Sequence, residues 1–288
     1  MKRTLPLLLA LLAAPLAAQT SVWKVTRGQH TLYLGGTCHV LRPADFPLPA
    51  EYDAAFAAAT ELVFETDLAR MREPAAQQIL LQQGLYRDGT TLDKVLSPEA
   101  WAAVERHGAA VGMPAAALRQ FKPWMLTIMI TVIELQKLGV TDEGVDFHFH
   151  RRAGEAGKKV SGLETFDEHL GFITSLGRGQ ESEMVLNTIN EISEIPGMFG
   201  QLVAAWRRGD LAALEELMLR EMRAKYPRVY GELIVRRNQA WLPRIEAMLA
   251  TEPVELVLVG AGHLPGDDGL LAALQARGCA VEQIVVKN

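Results

Sequence analysis

The sequence predicts an α/β fold, with a mixed, mainly parallel central sheet and a large helical portion forming one side of a cleft. Two observations carry that prediction. Short apolar runs bounded by glycine or polar residues recur at 31–35, 62–64, 158–163 and 254–259, and their length and β-branched or aromatic content read as buried strands. Between them, helical spacing dominates from about 74 to 157 and again from about 167 to 250, supplying the crossovers that parallel strands require.

Taken in order, the chain opens with Lys2 and Arg3, an apolar stretch at 5–16, and Ala17-Ala18-Gln19. These are the charged, apolar and small-residue parts of a secretory signal, with cleavage expected after Ala18 and an apolar part too short to span a bilayer. A periplasmic or secreted address follows from that reading. The remainder, 19–288, suits a single α/β domain with helical insertions at about 70–157 and 167–250. Val22-Trp23-Lys24-Val25 and the run at 31–35 read as a β-hairpin turning at Gly28. The segment 42–49, with Pro43, Pro47 and Pro49, is expected to be an irregular, stiff loop at the mouth of the site.

An alanine-rich helix at 50–60 leads to the strand at 62–64. Ser97-Pro98-Glu99 starts a helix, and Gly108, Gly112 and Gly139 are read as stops. The apolar stretch 124–133 runs into Glu134, Gln136 and Lys137 and so predicts a buried helix. No stable membrane span is expected after signal cleavage. Breaks are expected at Pro196-Gly197, Gly209-Asp210 and Pro227. Asp267-Asp268-Gly269 should open a last helix, followed by a strand at 280–286.

A net charge of −5, with no basic cluster longer than Arg151-Arg152 or Arg236-Arg237, argues against a nucleic-acid partner and against a polyanionic substrate. Cys38 and Cys279 are the only cysteines. In an oxidising compartment they either pair, tying the first strand to the last, or remain two separate buried thiols.

The chemistry is concentrated at strand ends, where His39, Glu65, Glu164 and His263 each follow one of the four runs. Parallel strands would bring all four to one sheet edge, where α/β sheets build sites. Two imidazoles and one or two carboxylates make a first shell for a divalent cation, with positions left for water and substrate. Such an ion suits hydrolysis, with a glutamate taking the proton. Glycine before each histidine, in Gly36-Thr37-Cys38-His39 and Gly260-Ala261-Gly262-His263, permits a sharp turn and close approach. His148 and His150 form a His-x-His pair, but helical spacing would splay their rings. His30, His107 and His169 read as structural. No nucleophile elbow, His-Glu-x-x-His helix, Walker loop or dinucleotide fingerprint occurs.

Five segments in order, Gly36-Thr37-Cys38-His39, Phe64-Glu65-Thr66-Asp67, Gly162-Leu163-Glu164-Thr165, Arg237-Asn238-Gln239-Ala240-Trp241 and Val259-Gly260-Ala261-Gly262-His263-Leu264, resemble the TraB/GumN family, itself similar to the Tiki metalloproteases and remotely to erythromycin esterases and ChaN-like haem-binding proteins. The resemblance implies a metal-dependent hydrolase of a peptide or small-molecule substrate, most simply a peptidase, supported by manganese or cobalt, with zinc as another option. It implies His39, His263 and Glu65 as metal ligands or near neighbours, and Glu164 as second acid, ligand or base. Arg237 would be an electrophile or carboxylate clamp and Asn238 would orient water or substrate, with Trp241 packing beneath Arg237. Cys38 stands where the family more often carries an aliphatic residue. Two rival readings are a non-catalytic binder of a peptide, pheromone-like ligand or haem, and an ester or lactone hydrolase.

Overall fold

Val22–Arg27 (β1) and His30–Thr37 (β2) form the expected antiparallel hairpin, with Gly28 at φ 62° in the turn, where a side chain would be strained. The hairpin lies near the start of residues 20–286, the part that this computed structural model describes; the signal reading of 1–18 falls outside it. Four more strands, Glu61–Phe64 (β3), Lys159–Gly162 (β4), Glu255–Gly260 (β5) and Ala280–Gln283 (β6), complete a sheet of order β4-β3-β5-β2-β1-β6. Strands β4, β3, β5 and β2 pair in parallel, whereas β1 runs antiparallel to both β2 and β6. The sheet is therefore mixed and mainly parallel.

Side chains alternate across it, and both faces are covered over its central strands, whereas the edge strand β4, whose run at 158–163 reads as buried, is largely exposed. On one face Leu62, Phe64, Leu256 and Leu258 pack with Tyr52 and Phe56 of helix Ala50–Ala58, Phe149 of helix Val145–Glu155 and Trp206 of helix Ile195–Arg208. On the other, Val63, Val257 and Val259 pack with Trp241, Leu242 and Ile245 of helix Arg237–Met248 and Leu271 of helix Leu270–Ala276. β5 is buried along its whole length, which is why it reads as an unbroken apolar run. A third cluster, including Leu96, Val104, Leu126 and Val185, binds helices Pro98–Ala110, Pro123–Lys137 and Glu181–Asn190 into the helical portion. None of the described helices is long and apolar enough to cross a membrane.

Three further expectations need correction. Cys38 and Cys279 are free, and no bridge joins them: Cys38 packs in the cluster on one face of the sheet and Cys279 in the cluster on the other. The stiff loop contains one regular turn, Pro43–Asp45, because proline suits a first helical position and the Asp45 carboxylate accepts from both the backbone and the guanidinium of Arg42. Gly108 stops nothing; it lies inside helix Pro98–Ala110, where a Cβ would fall 2.4 Å from Leu118 Cδ1, so glycine serves close packing there. Gly112 and Gly139, at φ 76° and 77°, do follow helix ends.

Candidate functional site

The carboxyl ends of β4, β3, β5 and β2 lie side by side, and the chain leaves them into Glu164, Glu65, His263 and His39. The predicted convergence is thus met by geometry. Glu65 stands at its centre, with Oε1 accepting the Gly260 N–H at 2.7 Å and lying 3.9 Å from His39 Nε2 and 3.7 Å from His263 Nε2. Burial alone would raise its pKa, but Arg237 foremost, then His263 and His39, hold it well below the usual carboxylate range.

His39 is aimed by residues outside the strand ends. Its Nδ1 lies 2.9 Å from Asp146 Oδ2, and the other Asp146 oxygen accepts the Thr37 hydroxyl at 3.1 Å. Asp146 sits in the first turn of helix Val145–Glu155, which docks on the His39 loop through the Val145 N–H to Cys38 O bond. Gly144 makes the docking possible, since a Cβ there would lie 2.1 Å from His39 O. The ring opens onto the cleft, with 59 % of its side-chain surface exposed. Burial of its inner edge opposes the charged form, yet the charge and hydrogen bond of Asp146, aided by Glu65, raise its pKa to about 9.

Arg237 ties the other half together. Its helix follows a π-helical stretch, Gly231–Arg236, a feature that recurs at functional sites. Its Nη2 lies 2.5 Å from Glu65 Oε2, 2.8 Å from Glu164 Oε1 and 3.4 Å from His169 Nδ1, while Nε donates to Glu164 Oε2 at 3.2 Å. Trp241 does pack against the guanidinium, 4.5 Å from ring centroid to Cζ, and its indole N–H donates to Glu164 Oε2. Asn238 is tied to the last loop: its amide donates to the carbonyls of His263 and Asp268, and its Oδ1 accepts from His263 Nδ1 at 2.7 Å. It therefore fixes the His263 tautomer and leaves Nε2 as an acceptor, 3.2 Å from Arg237 Nη1. Burial first, with Arg237 next among the lowering influences and Glu65 opposing, pushes the His263 pKa down to about 3.

Two places in this cluster are candidates for a cation. Ligand atoms of Glu65, Glu164 and His169 all lie within 4.8 Å of one another, a buried group that could hold a metal. Arg237 Nη2, however, sits within hydrogen-bond range of those same three residues, so a metal there would have to displace a guanidinium. The second place is the gap between His39 Nε2 and Glu65 Oε1, closed on one side by Gly260. A Cβ on Gly260 would stand 3.0 Å from the imidazole nitrogen and 3.2 Å from the carboxylate oxygen, so the missing side chain is what keeps the gap open. Ligand atoms around a tetrahedral ion with bonds of roughly 2.0–2.2 Å are about 3.3–3.6 Å apart. The separations of 3.9 and 3.7 Å about Glu65 Oε1 come within a few tenths of that, but the imidazole nitrogens of His39 and His263 lie more than 4.8 Å from each other, so these three residues close on one ion only after a ring moves.

Sequence reasoning missed Asp146 and His169. Although read as structural, His169 holds Glu164 Oε1 at 2.6 Å from its Nδ1 and lines the cleft. The available signal was the Thr165-x-x-Glu168 capping box, which starts helix Phe166–Thr174 immediately after Glu164 and so returns His169 to it. His148 and His150 are helical, as their spacing implies; one packs on Phe46 and Phe149, the other on Phe64. Asp268 does not cap the last helix, because its carboxylate accepts the Tyr230 hydroxyl. A cleft of about 350 Å³ opens over the cluster, lined by the polar His39, Glu65, Thr66, Asp146, His169 and Arg237 and by the apolar Leu68, Met71, Phe147 and Ile173.

Compared with known proteins, residues 21–283 match the family model of the TraB/PrgY/gumN family. No curated protein and no solved structure matches the chain.

Proposed function

Because the chain belongs to the TraB/PrgY/gumN family, we propose that it is an exported metal-dependent hydrolase that cleaves a peptide bond. The observation that carries the reading is the gap between His39 Nε2 and Glu65 Oε1, kept open by Gly260 and flanked by His263 Nε2. His39, His263 and Glu65 would hold the ion, manganese or cobalt by family resemblance, with Arg237 Nη1 giving up its contact with His263 Nε2. When bound, the ion supplies a water of lowered pKa and polarises the carbonyl to be attacked.

The remaining steps belong to the chain's own residues. Asp146 and Asn238 each fix one imidazole through Nδ1, so that both Nε2 atoms point at the same carboxylate oxygen. Arg237 holds the Glu65 carboxyl in its ionised form, and its fork holds the Glu65 and Glu164 carboxylates in fixed orientation. Glu164 and His169, 2.6 Å apart, form the pair suited to carry a proton between the buried cluster and the cleft. Export rests on the signal-like residues 1–18.

A second reading, a non-catalytic binding protein, draws on Arg237, which already satisfies both carboxylates without any metal. One experiment separates the two. The purified protein, supplied with manganese, cobalt and zinc in turn, should retain about one divalent ion, and His39→Ala and His263→Ala should each lose it. Metal content at background in the unmutated protein would leave the binding protein as the surviving reading.

A further inference from the structure

The walls of the cleft differ in chemistry from its floor. Every ionisable group on the floor is committed to another: Glu65 and Glu164 to Arg237, His169 to Glu164, His39 to Asp146. In the metal-free protein a charged ligand group entering the cleft would therefore lose its water and meet no free counter-charge there, which is costly. The walls are Leu68 and Met71 of the turn Leu68–Met71, Phe147 of helix Val145–Glu155 and Ile173 of helix Phe166–Thr174, four large apolar side chains from three separate elements.

Two of these side chains are packed against neighbours. The Arg72 guanidinium stands 3.8 Å from the Phe147 ring centroid and is itself within 3.7 and 3.9 Å of Asp142 and Glu143. Leu68 is buried, only 8 % exposed. At about 350 Å³ the space lies at the small end of ligand clefts, roughly 300–1,000 Å³, and admits a residue or two of a chain.

We propose that this cleft is a specificity pocket, taking one bulky aliphatic or aromatic side chain of a peptide beside the bond presented to His39 and Glu65. The place of that bond rests on the hydrolase reading; the side-chain selectivity is measured separately from it. Burying such a side chain should favour leucine or phenylalanine over alanine by roughly 10- to 150-fold, while aspartate is rejected.

Two measurements test this. Metal-loaded protein is given a degenerate acetylated peptide library, with products read by mass spectrometry. Protein stripped with EDTA, which cannot turn over, is titrated by NMR with acetyl-Gly-Xaa-Gly-amide, Xaa being Ala, Leu, Phe or Asp. The expected results are cuts clustered beside Leu, Ile, Phe or Met, and tighter binding of the Leu and Phe peptides by the stated factor. Ile173→Ala and Phe147→Ala should narrow that preference to within about threefold. Equal binding of the Ala and Leu peptides, or preference for Asp, by the unmutated protein overturns the pocket, and this comparison needs no variant to fold. Selective binding with an uncut library supports the pocket and defeats the hydrolase reading; indiscriminate cutting with equal binding does the reverse.

Discussion

Replacing Arg237 with methionine removes the guanidinium that neutralises Glu65 and Glu164 while keeping most of the side-chain volume. Both carboxylates are buried, with 6 % and 4 % of their side-chain surface exposed, and the guanidinium is 7 % exposed. An exposed ion pair would contribute at most about 1 kcal/mol. Breaking a buried one costs about 3–5 kcal/mol, because the surviving charge is left uncompensated. Here the cost should fall at the lower end, since Glu65 keeps the Gly260 N–H and Glu164 keeps Trp241 and His169. Taking about 3 kcal/mol, the thermal midpoint should drop by roughly 6–12 °C. The deficit should also depend on pH. In the variant, a proton on one of the two facing carboxylates relieves their repulsion, so the folded state binds it more tightly than the unfolded chain. Stability gained that way is fully present in acid and lost as pH rises, so the gap from the unmutated protein should be smallest near pH 4 and largest at pH 7. Arg237→Lys should recover part of the loss, restoring charge without the fork. Urea unfolding at pH 4.5 and 7 measures all of this. A variant within 1 kcal/mol of the unmutated protein at pH 7 would refute the claim that Arg237 compensates the pair.

Gly260→Ala should fold normally, since φ −50° and ψ 135° suit any residue, yet retain at most about a tenth of the metal affinity because its Cβ enters the gap; unchanged affinity by calorimetry would place the ion elsewhere. Asp146→Asn should weaken manganese binding by about 10- to 100-fold while folding is retained, as an altered partner on His39 Nδ1 misaims the ring. An unaltered dissociation constant would mean that Asp146 only packs. Arg42, chiefly through its hydrogen bonds, lowers the Asp45 pKa, so the stabilisation is present above about pH 4 and lost as pH falls through the folded value; Asp45→Asn should flatten that part of the acid unfolding curve. Burial raises the pKa of both thiols, with Asp146 and Asp45 adding to the effect at Cys38, so neither should react with iodoacetamide at pH 8 in the folded protein, and dithiothreitol should leave the midpoint unchanged.

The strand-end residues were legible because a parallel strand carries its position with it: knowing that 62–64 and 254–259 are buried strands is enough to place Glu65 and the loop before His263 on one edge. Asp146 was not, since it reaches the site from a helix whose docking rests on packing about a hundred residues away along the chain, such as the Gly144 contact with His39 O, and His169 was legible only through the capping box that starts its helix just after Glu164. The protein partners of Asn238, the His263 ring and the carbonyls of His263 and Asp268, were not legible, because sequence cannot say which way an amide points. The cysteine question turned on parity. Whether Cys38 and Cys279 share a face depends on how each chain segment leaves its strand, and that is visible only once the two sides of the sheet are assembled.

The π-helical stretch Gly231–Arg236 has a consequence for how this site can vary. Three residues of one helix, Arg237, Asn238 and Trp241, face Glu65, His263 and Glu164 at once. An α-helix turns about 100° per residue, so a single-residue deletion upstream would swing all three away together unless a local change in winding absorbed it. A wide turn placed just before Arg237 is such an absorber. A single-residue deletion ahead of the wide turn should therefore leave Arg237, Asn238 and Trp241 on the same three partners, the turn tightening to an α-helical one instead.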